Sequence, residues 1–220
     1  IPKIMFAILT FAIVFMIFSS SFFNIFYDDS FYIEQFNRFQ TNRSVEIPDA
    51  KMGEIIVYFS NDDEYFKHSS QIYSDYKFSK NEVSHLKDVK DLIKSFKAGY
   101  FISLILFVVL IAGFSYSILT KKETSGLGIG NRFSLFFIKL QVSVLSFTAF
   151  LLLIFGIGSL FFFGRVFIWF HEVFFPQGNW QFPPDSLLIM MFPKEFFNNF
   201  VMAYLGQILL FVVMILILFV

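Results

Sequence analysis

The chain has 220 residues, of which 56% are hydrophobic and 15% are charged, and its mean hydropathy is +0.67. Soluble domains usually carry about a quarter charged residues, so this composition is typical of integral membrane proteins. Basic and acidic residues balance at 17 each, which leaves no net field to attract nucleic acid, and the absence of cysteine excludes disulfides, thiolate nucleophiles and cysteine-bound zinc.

Four apolar stretches are long enough to cross a bilayer, whose hydrocarbon core of about 30 Å needs about 20 helical residues. They cover residues 1–27, 99–120, 137–163 and 199–220. The first is too long for the apolar core of a signal peptide, and no small-residue cleavage site follows it, so we interpret it as a retained helix. The predicted fold is an all-α integral membrane protein with four transmembrane helices.

The short loop at residues 121–136 determines the predicted orientation, because its basic residues outnumber its single acid. These basic residues are Lys121, Lys122 and Arg132. The positive-inside rule places such a loop in the cytoplasm. Residues 28–98 then form a helical extracellular domain and residues 164–198 a shorter extracellular loop, and we predict a multi-pass protein of the bacterial cell membrane.

The outer domain contains further predicted helices. In "DSFYIEQFNRFQ", Phe31 or Tyr32 recurs with Phe36 and Phe39 at helical spacing. Pro48 and Asp49 are a plausible start for a second helix that carries Tyr58.

The best-defined outer helix begins at Ser79, which forms an S-x-x-E capping box with Glu82. At about 100° per residue, His85 falls within the apolar stripe of this helix. Asp88 lies at the edge of the stripe, close enough to hydrogen-bond an imidazole nitrogen of His85 and fix its tautomer. The opposite, solvated face is predicted to hold Lys87, Lys90, Asp91 and Lys94.

Two of the three histidines are candidates for chemistry. His171 lies in the aromatic run "RVFIWFHEVFF", and both it and His85 map to the outward side at membrane level. Structural explanations remain open, since His85 could be a buried histidine satisfied by a neighbour and His171 a member of an interfacial aromatic belt. Ionisable groups at such positions are costly, which favours a functional pair. His68, in a polar run, is predicted to be exposed.

Two blocks of the sequence resemble the bacterial lipoprotein intramolecular transacylases, the Lit family. "SKNEVSHLKDVKDLI" is similar to that family's rE-x-x-H-M-x-D-V-K block, and "GRVFIWFHEVFFPQGNWQFPPDSLLIMMFPKEFF" to its long F-H-E-x-x-F…G-x-W-x-F…L-I-x-M-F-P block. The four-span layout also agrees, so the resemblance covers essentially the whole chain. Leu86 stands where the family usually has Met, and Phe197 where it often has Trp.

The resemblance implies an O-to-N acyl transfer within one molecule. The substrate would be a diacylated lipoprotein in membrane lipid, whose sn-2 acyl chain moves from the glyceryl ester to the α-amine of the N-terminal cysteine, giving a lyso-form lipoprotein. Going from ester to amide is downhill, so neither a cofactor nor a metal is expected. The sequence carries no signal for a particular oligomeric state.

Within this chemistry the histidines are predicted to move protons. His85, oriented by Asp88, is the favoured base, while His171 or Tyr58 would stabilise the oxyanion and His171 could protonate the leaving oxygen. The residue pattern alone leaves open which histidine is base and which is acid. Supporting roles are expected for Arg165, Glu172 and Trp180.

Two other functions compete with the transacylase. One is a non-enzymatic accessory protein that binds lipid or lipoprotein. The other is a zinc-dependent membrane hydrolase using the histidines and Glu172, which the absence of an H-E-x-x-H spacing disfavours.

Overall fold

The computed structural model describes residues 3–40, 55, 57–59, 78–120 and 126–218, and within these ranges there is no β-strand. In chain order the helices are α1 (Lys3–Phe26), α2 (Asp29–Gln40), α3 (Lys80–Thr120), α4 (Ile129–Phe174), α5 (Leu187–Met191) and α6 (Lys194–Leu218). The predicted all-α fold is confirmed.

Four helices, α1, α3, α4 and α6, are long and apolar enough to cross a membrane. Helix α3 has 41 residues and α4 has 46. At a rise of 1.5 Å per residue, α3 alone is about 60 Å long, roughly twice the bilayer core. Both helices therefore extend well beyond their apolar stretches, and the extensions carry the two candidate histidines.

The chain forms two compact units. The first contains the described parts of Ile1–Ser21, Ser95–Ile157 and Leu205–Val220. Helices α1 and α3 approach closely at Gly99, where an added Cβ would lie 3.1 Å from the ring of Phe15. The hydroxyl of Thr10 donates to that of Ser143 at 3.3 Å, which links α1 to α4. The buried apolar core of this unit comprises Leu9, Val14, Leu110, Phe114, Ile118, Phe136, Leu140 and Val144.

The second unit is drawn from the described parts of Phe22–Lys94 and Gly158–Tyr204. Asp28 caps α2 by accepting from the backbone N–H of Ser30 at 3.0 Å. Asn199 of α6 donates to the buried Gln35 of α2 at 2.7 Å. The buried apolar core comprises Tyr32, Phe36, Ile55, Tyr58, Leu86, Leu187, Leu188, Met191 and Phe196.

Helix α4 changes direction at Phe162, whose φ of −132° and ψ of 23° are not helical. The kink lies between the Gly158–Ser159 pair and Gly164, where small residues lower the cost of a bend. Residues that follow the kink belong to the second unit and end at the aromatic run around His171.

The prediction that Lys90 lies on a solvated face is wrong. Lys90 is only 7% exposed, and its ammonium lies 4.2 Å from the centre of the Tyr58 ring. Tyr58 covers Lys90 alone on this face, since Lys87, Asp91 and Lys94 are exposed as predicted, and the cation–π contact offsets part of the cost of burying the Lys90 charge. His68, Pro48, Asp49, Lys121 and Lys122 lie outside the described residues.

Candidate active site

The first turn of α3 is held by the predicted capping box and by a contact that reaches another helix. Glu82 accepts from the backbone N–H of Ser79 at 2.7 Å, and the Ser79 hydroxyl accepts from the N–H of Glu82 at 3.3 Å. The second carboxylate oxygen of Glu82 accepts from the backbone N–H of Leu188 at 2.8 Å. One buried carboxylate thus starts α3 and ties it to α5.

His85 follows one turn later and is 9% exposed. Its ring centre lies 4.7 Å from that of Phe175 and 5.6 Å from that of Phe182, both in edge-on geometry. The Nδ1 atom of His85 is buried and has no hydrogen-bond partner within the described part of the chain. Buried polar atoms are nearly always hydrogen-bonded, so this nitrogen is a favourable position for a ligand or a water to bind.

His171 lies in the last turn of α4, 8% exposed, with its ring centre 5.9 Å from that of His85. The Nδ1–H of His171 donates to the backbone carbonyl of Phe167 at 2.7 Å. Because a carbonyl can only accept, Nδ1 carries the proton, and the neutral ring keeps a lone pair on Nε2. The Phe167 ring packs on His171 at 4.2 Å and on Phe197 at 5.3 Å.

The surroundings of the two rings favour their neutral forms. Burial, followed by the proximity of His171, lowers the pKa of His85, while the charge of Asp88 raises it by less. The resulting pKa is about 4. Burial also lowers the pKa of His171, which the bond to the Phe167 carbonyl partly counteracts. A proton on one ring disfavours a proton on the other, so the pair is suited to passing one proton at a time.

Asp88 does not bind the imidazole of His85 as the sequence predicted. Its Oδ2 accepts from the side-chain amides of Gln177 at 2.8 Å and Asn179 at 2.6 Å. Asn179 also donates to the hydroxyl of Ser84 at 3.2 Å. Asp88 therefore fastens the loop after α4 to α3, a long-range contact that the helical spacing of His85 and Asp88 did not reveal.

This loop begins because Pro176 cannot continue α4. Gly178 adopts a φ of +77°, and its N–H bonds the carbonyl of Phe175 at 3.0 Å to close a turn. Only glycine adopts this left-handed conformation without strain. The turn presents Gln177 and Asn179 to α3.

The other predicted site residues occupy different surroundings. Trp180 contacts the His171 ring with centres 4.8 Å apart. Tyr58 is buried in the core cluster that includes Leu86, and burial and nearby acids raise its pKa, so its phenol keeps its proton. Arg165 and Glu172 are exposed. Within the described ranges, no three histidine or acidic side chains lie together as a metal-binding group.

Sequence reasoning missed the aromatic and amide partners that complete the site. Phe175 and Phe182 pack on His85, while Gln177 and Asn179 bind Asp88. All four lie in the second family-like block. The amides alternate with glycine in "QGN", a turn signal that could have identified them as a presented pair.

Comparison with known protein families and structures identifies the family and the fold. The model of the family described as lipoprotein intramolecular transacylase Lit matches residues 3–197. The structure of the membrane integral lipoprotein intramolecular transacylase Lit from Bacillus cereus is similar at 18% identity and a TM-score of 0.75, covering 98% of this chain and 93% of that one.

A variant of that Bacillus cereus protein with one histidine replaced by alanine is similar at 19% identity and a TM-score of 0.69, covering 99% of this chain and 91% of that one. A variant with a histidine-to-arginine replacement gives 19% and 0.69, with 99% and 89% covered. No relative among the curated proteins matches.

Proposed function

Because the chain belongs to the lipoprotein intramolecular transacylase family, Lit, we propose that it moves the sn-2 acyl chain of a diacylglyceryl-cysteine lipoprotein onto the α-amine of that cysteine. The enzyme class follows from the family, which consists of acyltransferases acting on lipoproteins. The observation that carries the site assignment is the pair of buried, facing imidazoles of His85 and His171.

The reaction exchanges one bond for another without net uptake of a proton. The amine nitrogen attacks the ester carbonyl carbon, the N–C bond forms and the C–O bond to glycerol breaks. From the neutral amine, the nitrogen loses one proton and the glyceryl oxygen gains one, and an amine that arrives as the ammonium first releases one further proton through a base. Donor and acceptor lie on the same molecule, so holding them in contact supplies much of the rate.

A base is needed because the α-amine, with a pKa of about 7.7–8.0, is largely protonated at neutral pH. The tautomer of His171 supports its assignment as this base, since Nδ1–H donates to the Phe167 carbonyl and leaves Nε2 free to accept. The same carbonyl would stabilise the imidazolium that forms. This assignment reverses the order favoured by the sequence, in which His85 was the base.

His85 then supplies the second proton-handling group. Its neutral ring carries one N–H, which can stabilise the oxyanion by a hydrogen bond, or pass to the departing glyceryl oxygen as the other ring nitrogen takes up a proton from the imidazolium of His171. Its Nδ1, which has no hydrogen-bond partner in the described part of the chain, supports a role that begins when substrate arrives. Tyr58 keeps a phenolic proton and is proposed as a second donor to the oxyanion.

The acyl chains would rest on the aromatic surface that surrounds His171. Trp169, Phe170 and Phe174 expose large apolar areas on the same stretch of α4. Such surfaces suit lipid tails and the membrane interface. Arg165 and Glu172, both exposed, are proposed to contact the polar parts of the lipoprotein.

The site is proposed to face the outside of the cell, where lipoproteins carry their lipidated N-termini. The support is the basic character of the opposite side, to which Arg132 and Lys139 contribute.

The decisive experiment uses a synthetic diacylated lipopeptide and tandem mass spectrometry. Intramolecular transfer leaves the intact mass unchanged and moves one acyl group onto the N-terminal fragment. A zinc-type hydrolase would instead release a fatty acid, and a binding protein would leave every fragment unchanged. Either of the last two results in purified, folded protein would reject the proposed function.

Intramolecularity is tested by mixing lipopeptides that differ in both peptide and acyl isotopes. Transfer within one molecule gives no product combining the two labels. Addition of excess chelator is expected to leave the rate unchanged, because no step proposed here needs a metal.

A further inference from the structure

Asp88 is a half-buried carboxylate without a cationic partner among the residues that the structure describes. Its two donors within the described ranges, the amides of Gln177 and Asn179, are neutral and both reach Oδ2. Oδ1 accepts nothing in the described part of the chain. A carboxylate accepts up to about four hydrogen bonds, so Oδ1 retains its full capacity for a donor.

Asn179 places a second unused acceptor beside the same helix. Its Nδ2 donates to Asp88 and to Ser84, which requires the amide nitrogen, and not the oxygen, to face the carboxylate. The Oδ1 atom of Asn179 is buried and has no hydrogen-bond partner within the described residues. Buried carbonyl oxygens are nearly always paired, so an unpaired one marks a position that a ligand N–H can fill.

Both acceptors adjoin the histidine pair along the chain. Asp88 lies one helical turn after His85, and Asn179 immediately precedes Trp180, which contacts His171. The group that must reach these histidines in the proposed reaction is an ammonium with three N–H donors. The carboxylate oxygen of Asp88 and the carbonyl oxygen of Asn179 can accept from two of the three N–H groups, which leaves the third for the base.

We propose that Asp88 and Asn179 form the subsite that binds the α-ammonium of the substrate's N-terminal cysteine. This inference rests on the proposed function, since it takes its ligand from that reaction. Asp88 stabilises the charged amine and thereby helps to bind the substrate. The bound ammonium cannot attack the ester until it loses a proton, so a base is necessary. Free α-amines are thereby selected over lipoproteins whose N-terminus is already acylated.

The test measures binding without chemistry, by using lipopeptides whose two chains are attached through ethers. One peptide has a free α-amine and its twin is N-acetylated. Dissociation constants are measured in micelles by competition with a fluorescent lipopeptide. A charge-assisted pair at a half-buried site predicts that wild type binds the free amine at least about tenfold more tightly than the twin.

Asp88→Asn keeps an oxygen for Gln177 and Asn179 but removes the charge. We expect it to bind the N-acetylated peptide as wild type does and to lose most of the preference for the free amine. Asp185→Asn removes an exposed acid between α4 and α5. It is the matched control and should keep the preference for the free amine. Binding of the N-acetylated peptide reports that each variant is folded.

Two results would overturn the subsite: no preference in wild type, or an undiminished preference in Asp88→Asn. If Asp88→Asn fails to fold, Asn179→Ala is measured in the same way, and an unchanged preference there has the same consequence. The subsite and the function fail separately. If wild type prefers the free amine but leaves the ester-linked lipopeptide unchanged, the subsite stands and the transacylase function is rejected. If wild type transacylates but shows no preference for the free amine, the function stands and the subsite is rejected.

Discussion

At the scale of single residues, His85 and His171 differ in how their protons are held. The Nδ1 proton of His171 is held by the Phe167 carbonyl, while Nδ1 of His85 is buried and has no hydrogen-bond partner among the residues that the structure describes. An anchored ring has one defined tautomer and can accept at its other nitrogen. A ring nitrogen without a hydrogen-bond partner is stabilised most when the substrate supplies that partner. The two histidines are therefore suited to different steps.

Replacing either histidine with alanine should remove most of the activity. If each ring transfers a proton, each is worth about 10²–10⁴ in rate. The double variant should be little worse than either single variant, because groups that act as a unit are not additive. His68→Ala should be close to neutral. N-acylated product per folded protein is measured by mass spectrometry, and wild-type activity in His85→Ala or His171→Ala would contradict the mechanism.

The pH dependence provides a second check at this scale. The pKa of His85 is lowered from 6.5 to about 4, so its neutral form is present above that pH and is lost only as the pH falls through it. The pKa of His171 is lowered as well. We expect the acid limb of kcat/KM to lie clearly below 6.5.

Rates measured from pH 4.5 to about 7.5 on a lipopeptide with a free amine decide the matter. An acid limb at 6.5 or above would mean that the histidines titrate as in solvent. Tyr58→Phe should leave the position of the limb unchanged and lower the rate less than the loss of a histidine, because it removes one hydrogen-bond donor.

At the scale of elements, the contacts that could be predicted are those within one helix. The Ser79–Glu82 box and the burial of His85 both follow from spacing along α3. The bond from Leu188 to Glu82 joins positions 106 residues apart, and Asn179 is 91 residues from Asp88. Periodicity places a residue on a face but does not say which element covers that face, as the burial of Lys90 under Tyr58 illustrates.

The double duty of Glu82 predicts unequal effects of two substitutions in the capping box. Ser79→Ala removes a cap and should cost about 1 kcal/mol of stability. Glu82→Ala removes the partner of the Ser79 N–H and leaves the buried N–H of Leu188 unpaired, so it should cost a further 1–3 kcal/mol, roughly.

Both variants are compared by thermal unfolding and by transacylation. Glu82→Ala should also lose activity, because α5 would no longer be anchored to the helix that carries His85. Equal losses of stability in the two variants would mean that the contact with Leu188 contributes nothing.

The turn at Gly178 allows a prediction about the loop after α4. Gly178→Ala meets no atom within 4 Å, but its φ of +77° is strained for any side chain. Relaxation of the turn would move Gln177 and Asn179 away from Asp88. We expect a lower kcat/KM with little change in melting temperature, measured against Gly130→Ala, a position that is equally open and has no positive φ. Full activity in Gly178→Ala would show that the turn does not position the site.

At the scale of the whole molecule, hydropathy was sufficient to predict the membrane-spanning class and the number of apolar helices. It was insufficient for the lengths of α3 and α4, because the charged first half of α3 and the aromatic end of α4 carry no membrane signal. Helix α3 continues through Gly99, and α4 continues past Gly164 after a kink at Phe162. Helix continuity depends on local backbone contacts, which hydropathy does not report.

The proposed orientation can be tested directly because the chain has no cysteine that would have to be removed. Asp185→Cys introduces a thiol at an exposed position between α4 and α5, and Gly128→Cys introduces one before α4, where an added Cβ meets nothing within 4 Å. The basic residues near position 128 predict that this side stays in the cytoplasm. A membrane-impermeant maleimide added to intact cells should label Asp185→Cys at once and Gly128→Cys only after permeabilisation. The reverse pattern would place His85 and His171 on the cytoplasmic side, away from lipoproteins exported to the cell surface, and the substrate proposed for this site would have to be abandoned.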